Sequence, residues 1–143
     1  MKSLFIFLAL ILLSGCATKT TNPWRDEIIN KTCLGGQIFI EGRDVGDGPD
    51  PGNFYILSLE ISEKGSEKQF RSMLVDPHPS VRCMGIICLA KNEYEFDPLI
   101  GDQEEVGVYE FGCVGMGSTV ENFSYQIKTN MHFRSYFIDG IEK

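Results

Sequence analysis

Histidine is scarce in this sequence. His78 and His132 are the whole supply, so ordinary general-base chemistry near neutral pH has two side chains to draw on. Basic residues are also outnumbered, 13 Lys and Arg against 20 Asp and Glu, and no basic run interrupts the excess. An acidic chain without a basic patch is a poor partner for phosphate backbones or anionic headgroups, which argues against nucleic-acid binding. HExxH, the GxSxG elbow and the P-loop are all missing, and no CxxC pair or Cys/His cluster offers a zinc site. No apolar run approaches the roughly 18 residues that a membrane-spanning helix needs. The expectation is therefore a chain with no catalytic residue, no cofactor and no metal ligand.

One short apolar run is present. After Met1-Lys2-Ser3 comes "LFIFLALILL", residues 4–13, followed by Ser14, Gly15 and Cys16. Ten helical residues reach about 15 Å, half of a bilayer's hydrocarbon core, whereas a positive start, a short apolar stretch and small residues read as a secretory signal peptide. The end of the run, "LSGC" at 13–16, matches the lipobox and resembles the processing site of bacterial lipoproteins. That resemblance implies cleavage after Gly15 and a diacylglyceryl group on the Cys16 thiol. Multiple acyl chains give a stable anchor where one gives a marginal one. Ala17 stands where an Asp would favour inner-membrane retention, so the resemblance implies the periplasmic face of the outer membrane. Removal of residues 1–15 takes one Lys and no acid, leaving 12 basic against 20 acidic residues and a net charge near −8.

With Cys16 given to lipid, four cysteines remain: Cys33, Cys83, Cys88 and Cys113. An even number in an oxidising compartment reads as two disulfides with three pairings open, Cys83–Cys88 as a local clip and Cys33–Cys113 as a long-range tie being preferred. Residues 16–32 read as a lipidated tether. Within it, Asn22-Pro23 with Asp26 and Glu27 marks at most a short helical turn, on which Trp24 and Ile28 share a face.

From Cys33 onward the apolar pattern suggests period two. "GQIFIEG" (36–42), "NFYILSLEIS" (53–62), "QFRSMLVD" (69–76), "GIICLAK" (85–91), "EVGVYEFG" (105–112), "TVENFSYQIKTN" (119–130) and "MHFRSYFID" (131–139) read as strands between Gly-, Pro-, Asp- and Asn-rich connectors. Tyr55, Leu57, Leu59 and Ile61 would line one face of the second, with Phe123, Tyr125 and Ile127 aligned on the sixth. Roughly seven short strands predict an all-β domain over residues 33–143, an antiparallel sandwich or barrel.

Few constellations suggest chemistry. Asp44, Asp47 and Asp50 recur every three residues in the 42–53 loop, but the spacing is not that of an EF-hand, and a solvated loop explains it. His78 in "DPHPS" reads as an extended surface loop, and a Cys113–His132 nucleophile pair would be inert if Cys113 were paired. Gly112, Gly115 and Gly117 read as bulge or turn positions rather than a dinucleotide fingerprint. The 20 acids leave a glycosidase-like carboxylate pair open, and "NFS" at 122–124 is incidental in a bacterial context.

The layout of lipobox, tether and cysteine-bearing β-structure resembles periplasmic immunity lipoproteins paired with type VI secretion toxins. "CLAKNEYEFDPLIGDQEEVGVYEF" at 88–111 is similar to the extended aromatic segment leading into a late strand in that group. What the resemblance implies is a lipid-anchored domain that binds a protein in the periplasm, an immunity protein neutralising a toxin. The alternative is a structural or assembly lipoprotein of an envelope or secretion complex; a hydrolase has only scattered carboxylates behind it.

Overall fold

Ahead of the first described helix the side-chain oxygen of Asn22 accepts the Trp24 N–H at 3.0 Å. The computed structural model describes residues 22–45, 51–112 and 115–138. Their elements run α1 (Arg25–Thr32), β1 (Cys33–Leu34), β2 (Gln37–Val45), α2 (Asn53–Lys64), α3 (Glu67–Met73), α4 (Pro79–Lys91), β3 (Glu105–Gly112), β4 (Met116–Thr119), α5 (Val120–Thr129) and α6 (Met131–Ser135). The helical turn expected near Asn22 is thus a full helix, which seats Ile28 in the core with Trp24 packed half-buried beside it.

The expected all-β sandwich or barrel is overturned: six helices and one four-stranded sheet make up the described residues. Two of the expected strands stand. Residues 36–42 fall in β2, apart from the turn glycine Gly36, and 105–112 form β3 with unchanged bounds. The other five segments are mainly helical. "NFYILSLEIS" buries Phe54, Tyr55, Leu57, Ser58 and Ile61, a helical stripe, while Ile56 and Leu59 face outward. The polar turn at Gly65-Ser66 joins two helices rather than two strands, because Ser66 and Gln69 form a capping box that starts α3. "GIICLAK" lies inside α4, which starts on Pro79 and buries every residue from Ser80 to Ala90. Thr119 caps α5 through its hydroxyl, and Asn130 caps α6 through its side-chain oxygen. On α5, Phe123 and Ile127 point inward and Tyr125 points out, so the three do not share a face.

The sheet order is β1-β2-β3-β4. β2 and β3 are parallel, and the crossover between them carries α2, α3 and α4; β1–β2 and β3–β4 are antiparallel hairpins. Ile40 of β2 with Val106 and Val108 of β3 face the helical layer, where the all-buried α4 lies at the centre of the core. Phe39, Glu41, Gly107 and Tyr109 alternate to the other face, which among the described residues is left open.

Helix geometry also bears on the cysteines. Cys83 and Cys88 sit on α4 five positions apart, roughly 140° around its axis, and both are free, buried thiols. The local clip is therefore not formed. Cys33 is also free, and the long-range tie falls on Cys113, which like Cys16 lies outside the described residues.

Candidate functional site on the open face of the sheet

Strand register builds a trough on the open face. Phe39 of β2 stands opposite Gly107 of β3, and Gly107 opposite Gly117 of β4. Two consecutive positions of that row lack side chains, so the row falls from an aromatic ring to bare backbone. Beside it, Glu41 stands opposite Tyr109, whose ring tilts against Phe39 with centroids 5.5 Å apart. Gly115 permits that posture: a Cβ there would lie 2.3 Å from Tyr109 Cζ. The resulting cavity holds about 750 Å³, walled by Phe39, Tyr109, Glu105 and Thr119.

A second concavity of about 350 Å³ adjoins it, sharing Thr119 and Asn122. Its far wall is Pro98, Ile100 and Tyr125, with Ile100 84% and Tyr125 55% exposed. The shared rim is held by short-range bonds. Thr119 Oγ1 accepts the Asn122 N–H at 3.2 Å, and Asn122 Nδ2 donates to Ser118 Oγ at 2.9 Å. The Pro98–Ile100 loop is fixed by the Leu99 N–H donating to the buried Ser124 hydroxyl at 2.9 Å, and Gln103 bridges to Glu121 across the rim. Glu105 and Glu121 line the joined surface, and among the described residues no Lys or Arg does. It offers apolar anchors at both ends, hydroxyls and amides between them, and a negative potential.

The described chemical candidates of the sequence, His78, His132 and Asp44, lie elsewhere. His78 is the N-cap of α4, and its Nε2 lies 3.5 Å from Cys33 Sγ, a pairing the sequence reading missed. His132, in α6, lies 3.3 Å from the Tyr136 hydroxyl through Nε2; Cys113, its suggested partner, is outside the described residues. Asp44 pairs with Arg43 at 3.0 Å, while Asp47 and Asp50 are outside the described residues. Among the described residues no three His, Cys, Asp or Glu side chains converge as a metal site. Gly115 and Gly117, read as turn positions, instead shape the trough; the available signal was their alternation with Gly107 in a two-strand register. Comparison with known proteins found no match: no family model, no curated protein and no solved structure matches this chain.

Proposed function

We propose that this chain is a lipid-anchored binding protein of the bacterial envelope, and that the joined trough receives an extended, cationic segment of a protein partner. The anchor rests on "LSGC" at 13–16, with Cys16 as the lipidated thiol and the periplasmic face of the outer membrane as its location. The binding role rests on one observation: two concavities joined at Thr119 and Asn122, with exposed or half-exposed aromatic and aliphatic side chains at each end. Aromatic anchors around a polar middle are the composition of protein-recognition surfaces. The absence of lining cations, beside Glu105 and Glu121, favours a positively charged segment over an acidic one. Binding is favoured over catalysis because, among the described lining residues, no His, Lys or Cys stands by the hydroxyls of Ser118 and Thr119 to activate them. The resemblance to immunity lipoproteins supposed cysteine-bearing β-structure, so with a helix-rich fold the partner is inferred from the groove alone.

Photo-crosslinking side chains placed at Tyr109, at Tyr125 and, as a control, at the exposed Val75 test the docking surface in cells. The first two are expected to trap one common protein, whose purified form binds the native chain and loses at least about tenfold in affinity to Tyr125→Ala. Equal trapping from Val75, or unchanged affinity of Tyr125→Ala, overturns the docking surface. Separately, Cys16→Ala is expected to leave the chain unprocessed or soluble in the periplasm; normal retention with normal processing overturns the anchor.

A further inference from the structure

We propose that Cys33 is a thiol–disulfide exchange site, its sulfur held against His78 and its reaction class the formation of a mixed disulfide with a small disulfide. The site lies outside the joined trough and stands independently of the binding role.

The sulfur is positioned by rigid backbone. Cys33 closes α1, its N–H donating to the Ile29 carbonyl, and it pairs with Ile38 across a hairpin whose turn is Gly35-Gly36. Both turn glycines have positive φ, 59° and 81°, the conformation that a tight two-residue hairpin requires. His78 is pinned on the other side. Its backbone N–H donates to Asp76 Oδ1 at 2.8 Å, and the second Asp76 oxygen accepts from Arg25 Nε at 2.8 Å. Ser80, fully buried, addresses the ring: its N–H donates to Nδ1 at 3.3 Å and its hydroxyl lies 2.7 Å from the same atom.

Those bonds set the proton. A backbone N–H can only donate, so Nδ1 accepts, and the neutral ring carries its hydrogen on Nε2, the atom facing Sγ at 3.5 Å. The charged groups around the imidazole are Arg25 from α1, Asp76 before α4, Arg82 within α4 and Glu104 before β3. Burial and Arg25 hold His78 below its ordinary value, which keeps the ring in the neutral, donating form. With its hydrogen on Nε2 the neutral ring cannot serve as the base for this thiol; it stands as a fixed hydrogen-bond donor beside the sulfur. Acyl transfer is disfavoured, because the Cys33 N–H that would cradle an oxyanion is spent on Ile29.

Exchange needs no such cradle. The Cys33 proton leaves to water, and the Nε2–H of His78 donates to the resulting sulfur anion. Sγ attacks one sulfur of R–S–S–R, forming a Cys33–S–S–R linkage as the S–S bond of the small disulfide breaks. The departing R–S⁻ takes a proton from water and leaves as R–SH. Cys33 is oxidised and the small disulfide, the co-reactant, is reduced. The other described cysteines supply an internal contrast: burial pushes the Cys83 thiol far up and the Cys88 thiol to about 12, and neither meets solvent.

The test incubates the reduced full chain with glutathione disulfide and maps mixed disulfides by peptide mass over time. Cys33 is expected to react at least about tenfold faster than Cys83 and Cys88, His78→Ala to slow Cys33 by about tenfold, and His78→Gln, which keeps an N–H donor, to retain most of the rate. A variant that loosened the fold would raise the labelling of Cys83 and Cys88, so loss of fold is distinguishable from loss of the donor. Equal rates at the three cysteines overturn the site. So do equal effects of Ala and Gln at position 78 in folded protein, and so does a Cys33–Cys113 disulfide in the isolated chain.

Discussion

Arg82 and Asp102 form a two-point ion pair, Nε to Oδ2 at 2.6 Å and a terminal nitrogen to Oδ1 at 3.0 Å, that fastens α4 to the segment entering β3. The same guanidinium reaches Glu104 at 2.7 Å and the Asp76 carbonyl at 2.7 Å. Burial opposes its charge, but the bonds from Asp102 and Glu104 outweigh that and hold it above its ordinary range. The two carboxylates are unequal, for the Asp102 side chain is 16% exposed and that of Glu104 55%. Removing one member of a mostly buried pair strands the other, whereas an exposed partner contributes little. Asp102→Ala is expected to lower the unfolding free energy by about 3 kcal/mol. Glu104→Ala is expected to cost less than about 1 kcal/mol. Urea denaturation of both variants decides it, and equal losses contradict the ranking.

Gly85 governs how closely α3 approaches α4. A Cβ at this position would lie 2.8 Å from Met73 Cβ and 2.9 Å from the Phe70 carbonyl oxygen, neither of which is the free end of a flexible chain. Ala gains about 1 kcal/mol over Gly in a helix interior. Forcing packed elements apart costs about 1–3 kcal/mol. Gly85→Ala is therefore expected to lower the denaturation midpoint in urea; a stabilised variant would mean that α3 moves freely on α4.

These packing relations explain which parts of the fold were readable. One face of β2 and β3 meets the helices and the other is open, so period two survives in "EVGVYEF" and, past the apolar run Ile38-Phe39-Ile40, in part of "QIFIEG". "NFYILSLEIS" also alternates, but only because Leu59, on the outer face of α2, falls between the buried Leu57 and Ile61. α4 is buried all round because it is central, which erases any period, and its short apolar run 85–90 then fits strand or helix equally. The stronger signals were the caps: Ser66 and His78-Pro79 sat in stretches read as turn or loop, while Gln69, Thr119 and Asn130 sat at the ends of stretches read as strands. The trough and the Cys33–His78 contact were not legible. Each is made by register or packing between segments far apart in the chain.

The environment of His78 makes stability depend on pH. Burial first, then Arg25, lower its value in the folded chain; Asp76 and Glu104 pull the other way, and Arg82 adds the smallest lowering. The unfolded chain then binds more protons in the window just below the ordinary value of about 6.5, so stability is full above that window and falls as pH drops through it. Urea unfolding between about pH 7.5 and about pH 5 is expected to show this loss in the native chain. His78→Gln, which cannot titrate, should have a shallower profile. Parallel profiles would assign the dependence to other groups.

Gly117 separates the groove's shape from the domain's stability. Nothing lies within 4 Å of a Cβ built there, and its backbone is on an edge strand. A β-branched side chain therefore fits without strain, and strand preference adds up to about 1 kcal/mol of stability. The same side chain rises from the floor of the trough between Gly107 and the Thr119 rim, where an extended partner segment would lie. Gly117→Val is expected to unfold at an equal or higher urea concentration than the native chain. It should nevertheless bind the partner trapped at Tyr125 at least about tenfold more weakly by titration calorimetry. Loss of binding without loss of stability is what a docking groove predicts and a purely structural glycine does not. Full affinity in a folded Gly117→Val would move the docking surface off this face of the sheet.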